Sequence, residues 1–277
     1  MENLKIKRFE LRENALELIY KAKTGHIGGD FSVADILTVL YFSEMNISPE
    51  NMDSPDRDYF VMSKGHSAEL LYSVLAAKGF FDFQTVLDEF SAFGSKFTGH
   101  PNNKLPGIEM NSGSLGHGLP VCIGMALAAR MDSRDSRVYT VMGDGELAEG
   151  SVWEGFMAAG HYKLDNLCAV VDRNGLQISG TTEEVMAHGD LGKRIESFGW
   201  NVCSVNGNDI DELMSAFASA RKCKGKPSCI IAGTIKGYGG GEIMENKAEW
   251  HHRVPSEAEY NIIKAELKIR KEMAAGE

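Results

Sequence analysis

A glycine-flanked aspartate, Gly143-Asp144-Gly145, follows the apolar run RVYTVM. An asparagine, Asn174, follows the next apolar run, LCAVVD, thirty positions further on. If the two runs are strands of a parallel sheet, both side chains emerge at its carboxyl-terminal edge, where such sheets place their ligand crevice. A carboxylate, an amide oxygen and a backbone carbonyl from the turn after Asn174 are hard donors for a divalent cation. Magnesium takes few protein ligands and completes its octahedron with water and phosphate oxygens. The glycines beside Asp144 let backbone N–H groups approach an anion, as does the start of the helix that follows. D-G and N-G singly mark ordinary turns. Together, after consecutive strands, they point to a cation–diphosphate site.

Such a site needs a sheet to present it, and the rest of the pattern supplies one. DYFVMS, RVYTVM, LCAVVD, WNVCSVNG and SCIIAGT read as strands, and helical runs separate them. Near-continuous apolar strands alternating with helices imply an α/β fold, a parallel sheet with helices on both faces. Residues 4–23 read as an amphipathic helix. Ser32 and Asp35 have capping-box spacing for the next one. LGHGLPVCIGMALAARM reads as a long helix rich in small residues, and residues 255–276 as a terminal helix. Residues 177–190 and 236–254 lack periodicity, and long irregular loops in an α/β domain are often functional.

The bulk properties exclude several classes. The 277 residues carry 29 Lys and Arg against 39 Asp and Glu, a net charge of −10 that argues against nucleic-acid binding. The basic cluster RKCKGKP at Arg221–Pro227 reads as the cationic end of a helix before a Gly/Pro stop. Five scattered cysteines without C-x-x-C suggest reduced thiols in a cytoplasmic protein. No run approaches membrane-spanning length, and the charged amino terminus is no signal peptide.

Six blocks carry a resemblance. KAKTGHIGGDFSVADIL, DRDYFVMSKGHSAELLYSVLAAKG, TGHP, GSLGHGLPVCIGMALA, GDGELAEGSVWE and ENKAEWH resemble, in order, the diphosphate-binding domain of the transketolases, in the thiamine-diphosphate superfamily. They span most of the chain. The resemblance implies a single thiamine diphosphate-binding domain over residues 1–277, with thiamine diphosphate and Mg2+ as cofactors and Ca2+ or Mn2+ as substitute metals. Asp144, Asn174 and the carbonyl of Leu176 match the metal ligands. His66, Gly113, Ser114, Leu115, Gly145, Glu149, Asn174 and His251 match cofactor-binding positions, Glu149 being a carboxylate near the family's subunit contact. His26, His100 and His251 match histidines that line the substrate channel, and imidazole suits the proton movements of a two-carbon ketol transfer. Lys236 matches a weaker substrate or loop contact. His251, directly after Trp250, is preferred to His252. His117 stands where relatives carry Gln, and its role stays open. His161 and His188 match no motif and are assigned to surface or packing.

The six blocks match one domain of the family and none of its pyrimidine-binding and C-terminal domains, which the resemblance places on another chain. The resemblance therefore implies one component of a transferase, working only with a partner chain that brings those domains. The implied assembly is an α2β2 heterotetramer acting on sugar phosphates such as those of the pentose phosphate pathway. The alternatives are a transketolase-type enzyme for a branched or sulfonated sugar phosphate, the α-subunit of a 2-oxoacid dehydrogenase, and a non-catalytic assembly module.

Overall fold

A computed structural model describes residues 3–276. Helix α1 (Leu4–Ala22) and helix α2 (Ile27–Val39) precede strand β1 (Tyr59–Met62) and helix α3 (Ala68–Ala77). Helix α4 (Phe83–Glu89) and a long loop lead to helix α5 (Gly118–Met131), strand β2 (Val138–Gly143), helix α6 (Gly150–His161) and strand β3 (Leu167–Arg173). A small hairpin of β4 (Leu176–Gln177) and β5 (Gly180–Thr181) follows, then the short helix α7 (Thr182–Met186). Helix α8 (Leu191–Ser197), strand β6 (Asn201–Asn206), helix α9 (Ile210–Lys222), strand β7 (Ser228–Gly233) and helix α10 (Glu257–Gly276) complete the fold.

The five longer strands form one parallel sheet in the order β1-β2-β3-β7-β6. Alternate residues of each strand enter opposite cores, as the two-residue pleat requires. Phe60, Val170 and Ile230 pack with α1, α2, α3 and α9 on one face. Val61, Val171 and Ile231 pack with α5, α6 and α8 on the other. Burial on both faces is why β2 and β3 are apolar almost throughout. The edge strand β6 is half exposed and tolerates Asn and Ser.

Register matters most for function. Gly143 pairs with Asp172 and Arg173 with Gly233, so the loops after β2, β3 and β7 leave the sheet at the same edge. The expected sheet and both covering layers are present.

The structure corrects the expected start of the second helix. α2 begins at Ile27 behind His26, which makes no side-chain cap. Ser32 and Asp35 lie inside it, fully buried. The Ser32 hydroxyl donates to Asp172, and Asp35 pairs with Arg8 and the buried Arg12. The local capping pattern loses to tertiary packing: a side chain at Gly28 would come within 2.6 Å of the Trp250 carbonyl, so the helix start is set by its fit against that residue. α5 likewise starts at Gly118, and Leu115–His117 form part of the loop before it. Residues 177–190 are partly ordered by the hairpin and α7, whereas residues 236–254 hold one short helical turn, Ala248–Trp250.

The basic run ends α9, whose amino end is capped by Asp209 and whose last turn carries Arg221 and Lys222. All five cysteines are free thiols, Cys122, Cys168 and Cys229 being buried. No helix among the described residues is long and apolar enough to cross a membrane.

Candidate functional site

A cleft of about 330 Å³ opens at the carboxyl edge of the sheet. Asp144 occupies its floor and is 3% exposed. Its Oδ1 accepts the N–H of Gly145 at 2.9 Å and its Oδ2 the N–H of Gly175 at 2.7 Å, so this carboxylate ties the loop after β2 to the loop after β3. The Asp144 carbonyl accepts from His188 Nε2 at 3.0 Å, which gives the buried His188 a packing role beneath the loop. Asn174 donates to the Ser32 hydroxyl at 3.4 Å, and its Oδ1 accepts the N–H of Leu176 at 3.1 Å. The Leu176 carbonyl is 3.4 Å from Lys236 Nζ.

Among the described residues no three His, Cys, Asp or Glu side chains converge into a metal cage. The donors on offer are one carboxylate, one amide oxygen and one carbonyl, a set suited to a cation that keeps water and phosphate in its shell. Burial, and then the charge of Asp172, push Asp144 up to about 6. A buried carboxylate opposed in this way gains from a cation beside it. The residues therefore fit a hard divalent ion. Gly113, at φ +133°, lies so close to His100 that a side chain there would meet the ring at 2.8 Å. Only glycine lets this loop run along the cleft wall.

Beneath the cleft lies a buried network with no sequence motif of its own. Lys64 donates to Asp172 Oδ2 at 2.6 Å and to the Gly29 carbonyl at 3.0 Å. Asp172 also accepts from the hydroxyls of Ser32 and Thr234. Through Ser32 this network reaches Asn174. Glu146, also buried, accepts from Gly116 N–H at 2.8 Å, Gly143 N–H at 3.1 Å and the Ser63 hydroxyl. It joins the loops that frame the cleft. The usable signals in the sequence are Lys64 two places before His66 and Asp172 two before Asn174.

The histidines come together at the mouth. The His26 ring lies 5.4 Å from that of His66, 6.0 Å from His100, 5.8 Å from His251 and 4.5 Å from His252. His66 and His251 are 5.1 Å apart. Burial first, and then the neighbouring cationic groups, hold His26 down to about 4 and His251 to about 3. His66 and His100 are lowered as well, chiefly by burial. These four rings are thus neutral at neutral pH. Lys236, lowered to about 8 by burial and then by Lys64, sits 3.1 Å from His251 Nδ1.

Of the residues singled out from the sequence, Asp144, Asn174, Leu176, His66, His100, Gly113, Leu115, Gly145, Lys236 and His251 line the cleft. His26 stands beside them in the ring cluster. Two of the positions that the resemblance gives to the cofactor stand outside the cleft of the single chain. Ser114 is exposed and does not line the cleft, and Glu149 is exposed at the amino end of α6. The carboxylate that the loop turns inward is Glu146, because its two oxygens satisfy three donors there. His252 is exposed, His251 half-buried in the cleft wall, and His117 points outward with Nδ1 on the Leu115 carbonyl.

This arrangement defines a protein whose cleft, at the edge of a doubly covered parallel sheet and beneath a histidine cluster, offers donors that suit a hard cation and backbone N–H groups that suit an anion. Over residues 6–273 the chain matches the family described as the thiamine diphosphate binding domain of transketolase, and it belongs to the transketolase family. It is 47% identical over 270 residues to one subunit of the apulose-4-phosphate transketolase of Phocaeicola vulgatus, covering 98% of this chain and 95% of that protein. It is 40% identical to the SqwG subunit of the 6-deoxy-6-sulfo-D-fructose transketolase of a Clostridium species, covering 93% and 94%. The transketolase of Campylobacter jejuni superposes with a TM-score of 0.90 at 31% identity, covering 99% of this chain and 46% of that one. The chain thus spans about half the length of that solved transketolase. Membership removes the 2-oxoacid dehydrogenase alternative.

Proposed function

We propose that the chain, one domain over residues 1–277, is the diphosphate-binding component of a split transketolase that moves a two-carbon ketol unit from an uncommon sugar phosphate or sulfo-sugar. The observation that carries this is how fully relatives named as transketolase subunits are matched. Relatives named as subunits are matched over 95% and 94% of their extent, a full-length transketolase over 46%. The names of those relatives favour an uncommon donor over the common sugars of the pentose phosphate pathway. The retained cleft and histidine cluster speak against a non-catalytic assembly module. The free cysteines suit the cytoplasm, and the net charge of −10 speaks against a nucleic-acid partner. The partner is a second chain carrying the pyrimidine-binding and C-terminal domains, in an α2β2 assembly.

Asp144, Asn174 and the Leu176 carbonyl would hold Mg2+. The N–H of Gly145 and the ring of His66 would hold the diphosphate, with Gly113 and Leu115 along the cofactor. When bound, thiamine diphosphate supplies the nucleophilic carbon and the electron sink for cleaving and forming the carbon–carbon bond. The protein's own part is proton handling and exclusion of water. Lys236 donates to His251 Nδ1, which leaves the proton of the neutral imidazole on Nε2, a donor to a sugar oxygen. His26 and His100, kept neutral by burial, can take a hydroxyl proton and return it.

The test is a ketol-transfer assay with thiamine diphosphate and Mg2+, on the chain alone and mixed with a partner supplying the other two domains. Apulose 4-phosphate, 6-deoxy-6-sulfo-D-fructose and common ketose phosphates serve as donors. Turnover confined to the mixture and to an uncommon donor is the expected result. Equal or better turnover of common ketose phosphates would remove the uncommon-donor reading, and activity of the chain alone would remove the split enzyme.

A further inference from the structure

Two carboxyl groups that the chemistry above does not use lie under the histidine cluster. Asp30 and Glu69 are both fully buried. Asp30 stands four residues after His26 in the first turn of α2, and Glu69 three residues after His66 in the first turn of α3. Asp30 Oδ1 accepts the N–H of Leu70 at 3.2 Å, a bond from one helix start to the other. The Glu69 carboxyl lies near the backbone of His26 without a hydrogen bond to it and faces the carboxyl of Asp30. Gly25 closes the contact, since a side chain there would strike Glu69 Oε1 at 2.7 Å. Asp30 Oδ2 and both Glu69 oxygens receive no hydrogen from a conventional donor. Two buried carboxylates in contact cannot both ionise, and a proton on one makes it the donor the other lacks.

We propose that Asp30 and Glu69 form a positioning pair, joined by one shared proton, that pins the start of α2 to the start of α3 and so sets His26 against His66 for ketol transfer. The positioning role rests on the function proposed above; the shared proton does not. Burial raises both acids, Asp30 to about 7 and Glu69 well above the ordinary carboxyl range, where the charge of Asp30 adds to the effect. The ionisable groups around the pair are Lys64, His26, His66 and Tyr72, with His100, His251, His252 and Lys236 beyond them. From α1 the apolar Ile19 closes the remaining side. Lys64 favours ionisation of Asp30, but its ammonium is engaged with Asp172. When the shared proton leaves, two negative charges face each other and push α2 from α3, so turnover falls on the alkaline side.

The test compares wild type with Asp30→Asn and Glu69→Gln, which keep shape and hydrogen bonding but remove one ionisation. In the assembled enzyme kcat near neutral pH should stay within a few-fold and KM should hold. The alkaline limb of kcat should move up by about one pH unit or vanish. In the chain alone, acids raised in the folded state lose their stabilising effect as pH rises through their folded values. Relative to both variants, the wild-type unfolding midpoint should therefore fall as pH rises from about 4.5, where the unfolded carboxyls ionise, through about 7 and beyond, and each variant should flatten that fall. Unfolding profiles that all coincide overturn the shared proton. A flattened unfolding profile with an unmoved rate limb overturns the positioning role. If the mixture transfers no ketol unit with any donor, the positioning role falls with the functional reading, while the unfolding arm still decides the shared proton.

Discussion

Lys236 Nζ lies 3.1 Å from Nδ1 of His251, with the lysine 1% exposed. The two residues sit at opposite ends of the irregular segment after β7, so this bond closes the loop across the cleft. Lys236→Met should lower kcat by about a hundredfold, the low end of what a positioned acid–base group contributes. Affinity for thiamine diphosphate should stay within a few-fold. Steady-state kinetics and calorimetric titration separate the two, and collapse of cofactor binding would instead assign Lys236 to the Leu176 carbonyl.

Asp144 ties two loops together and, in the proposed function, holds Mg2+, and its loss should show both. Asp144→Ala leaves the N–H groups of Gly145 and Gly175 without their acceptor, at a cost of about 1–3 kcal/mol. Magnesium-dependent cofactor binding should disappear while the fold remains. Urea unfolding reads the first effect and titration of thiamine diphosphate with Mg2+ the second. Wild-type affinity in the variant would remove the metal assignment.

Lys64→Met would strand the Asp172 carboxylate, which is fully buried against that ammonium. Removing one partner of a buried pair typically destabilises by about 3–5 kcal/mol. The hydroxyls of Ser32 and Thr234 still reach Asp172, so the lower end is expected. Lys64→Met/Asp172→Leu should recover much of the loss in a chemical-denaturation series. A double variant no better than the single one would show that the hydroxyls, not the ion pair, hold the network.

Acid should unfold the chain through its histidines. His26 and His251 are held down to about 4 and about 3, from 6.5, by burial before anything else. A histidine with a lowered folded value contributes stability above about 6.5 that is lost as pH falls through that value, because the unfolded chain takes up the proton first. Unfolding free energy should drop between about pH 6.5 and pH 4, and less steeply in His251→Gln. Parallel profiles for the variant and wild type would mean that His251 is open to water.

The sheet and its ligand edge are legible in the sequence because their cause is local. Strands apolar on both faces, each followed by Gly, Asp or Asn, announce a covered parallel sheet and a crevice, and the register of Gly143 with Asp172 delivers it. The motif histidines and the candidate cation donors are legible for a similar reason, since each stands in a short block. The start of α2 is not, because Ser32 and Asp35 look like a cap from their neighbours alone. Gly28 against Trp250 and Asp35 against Arg12 settle their place from afar.

By itself the sequence determined the alternation of strands and helices and the residue types at the cleft, since both follow from side-chain chemistry over a few residues. Only the tertiary structure decided the pairings that tune them. Lys64 meets Asp172 across 108 positions and Lys236 meets His251 across 15, while Asp30 meets Glu69 between two helix starts. It also turned Glu146 rather than Glu149 inward. The physical reason is burial. A carboxyl or ammonium taken from water must find a partner wherever the chain brings one, and no local spacing records which it will be.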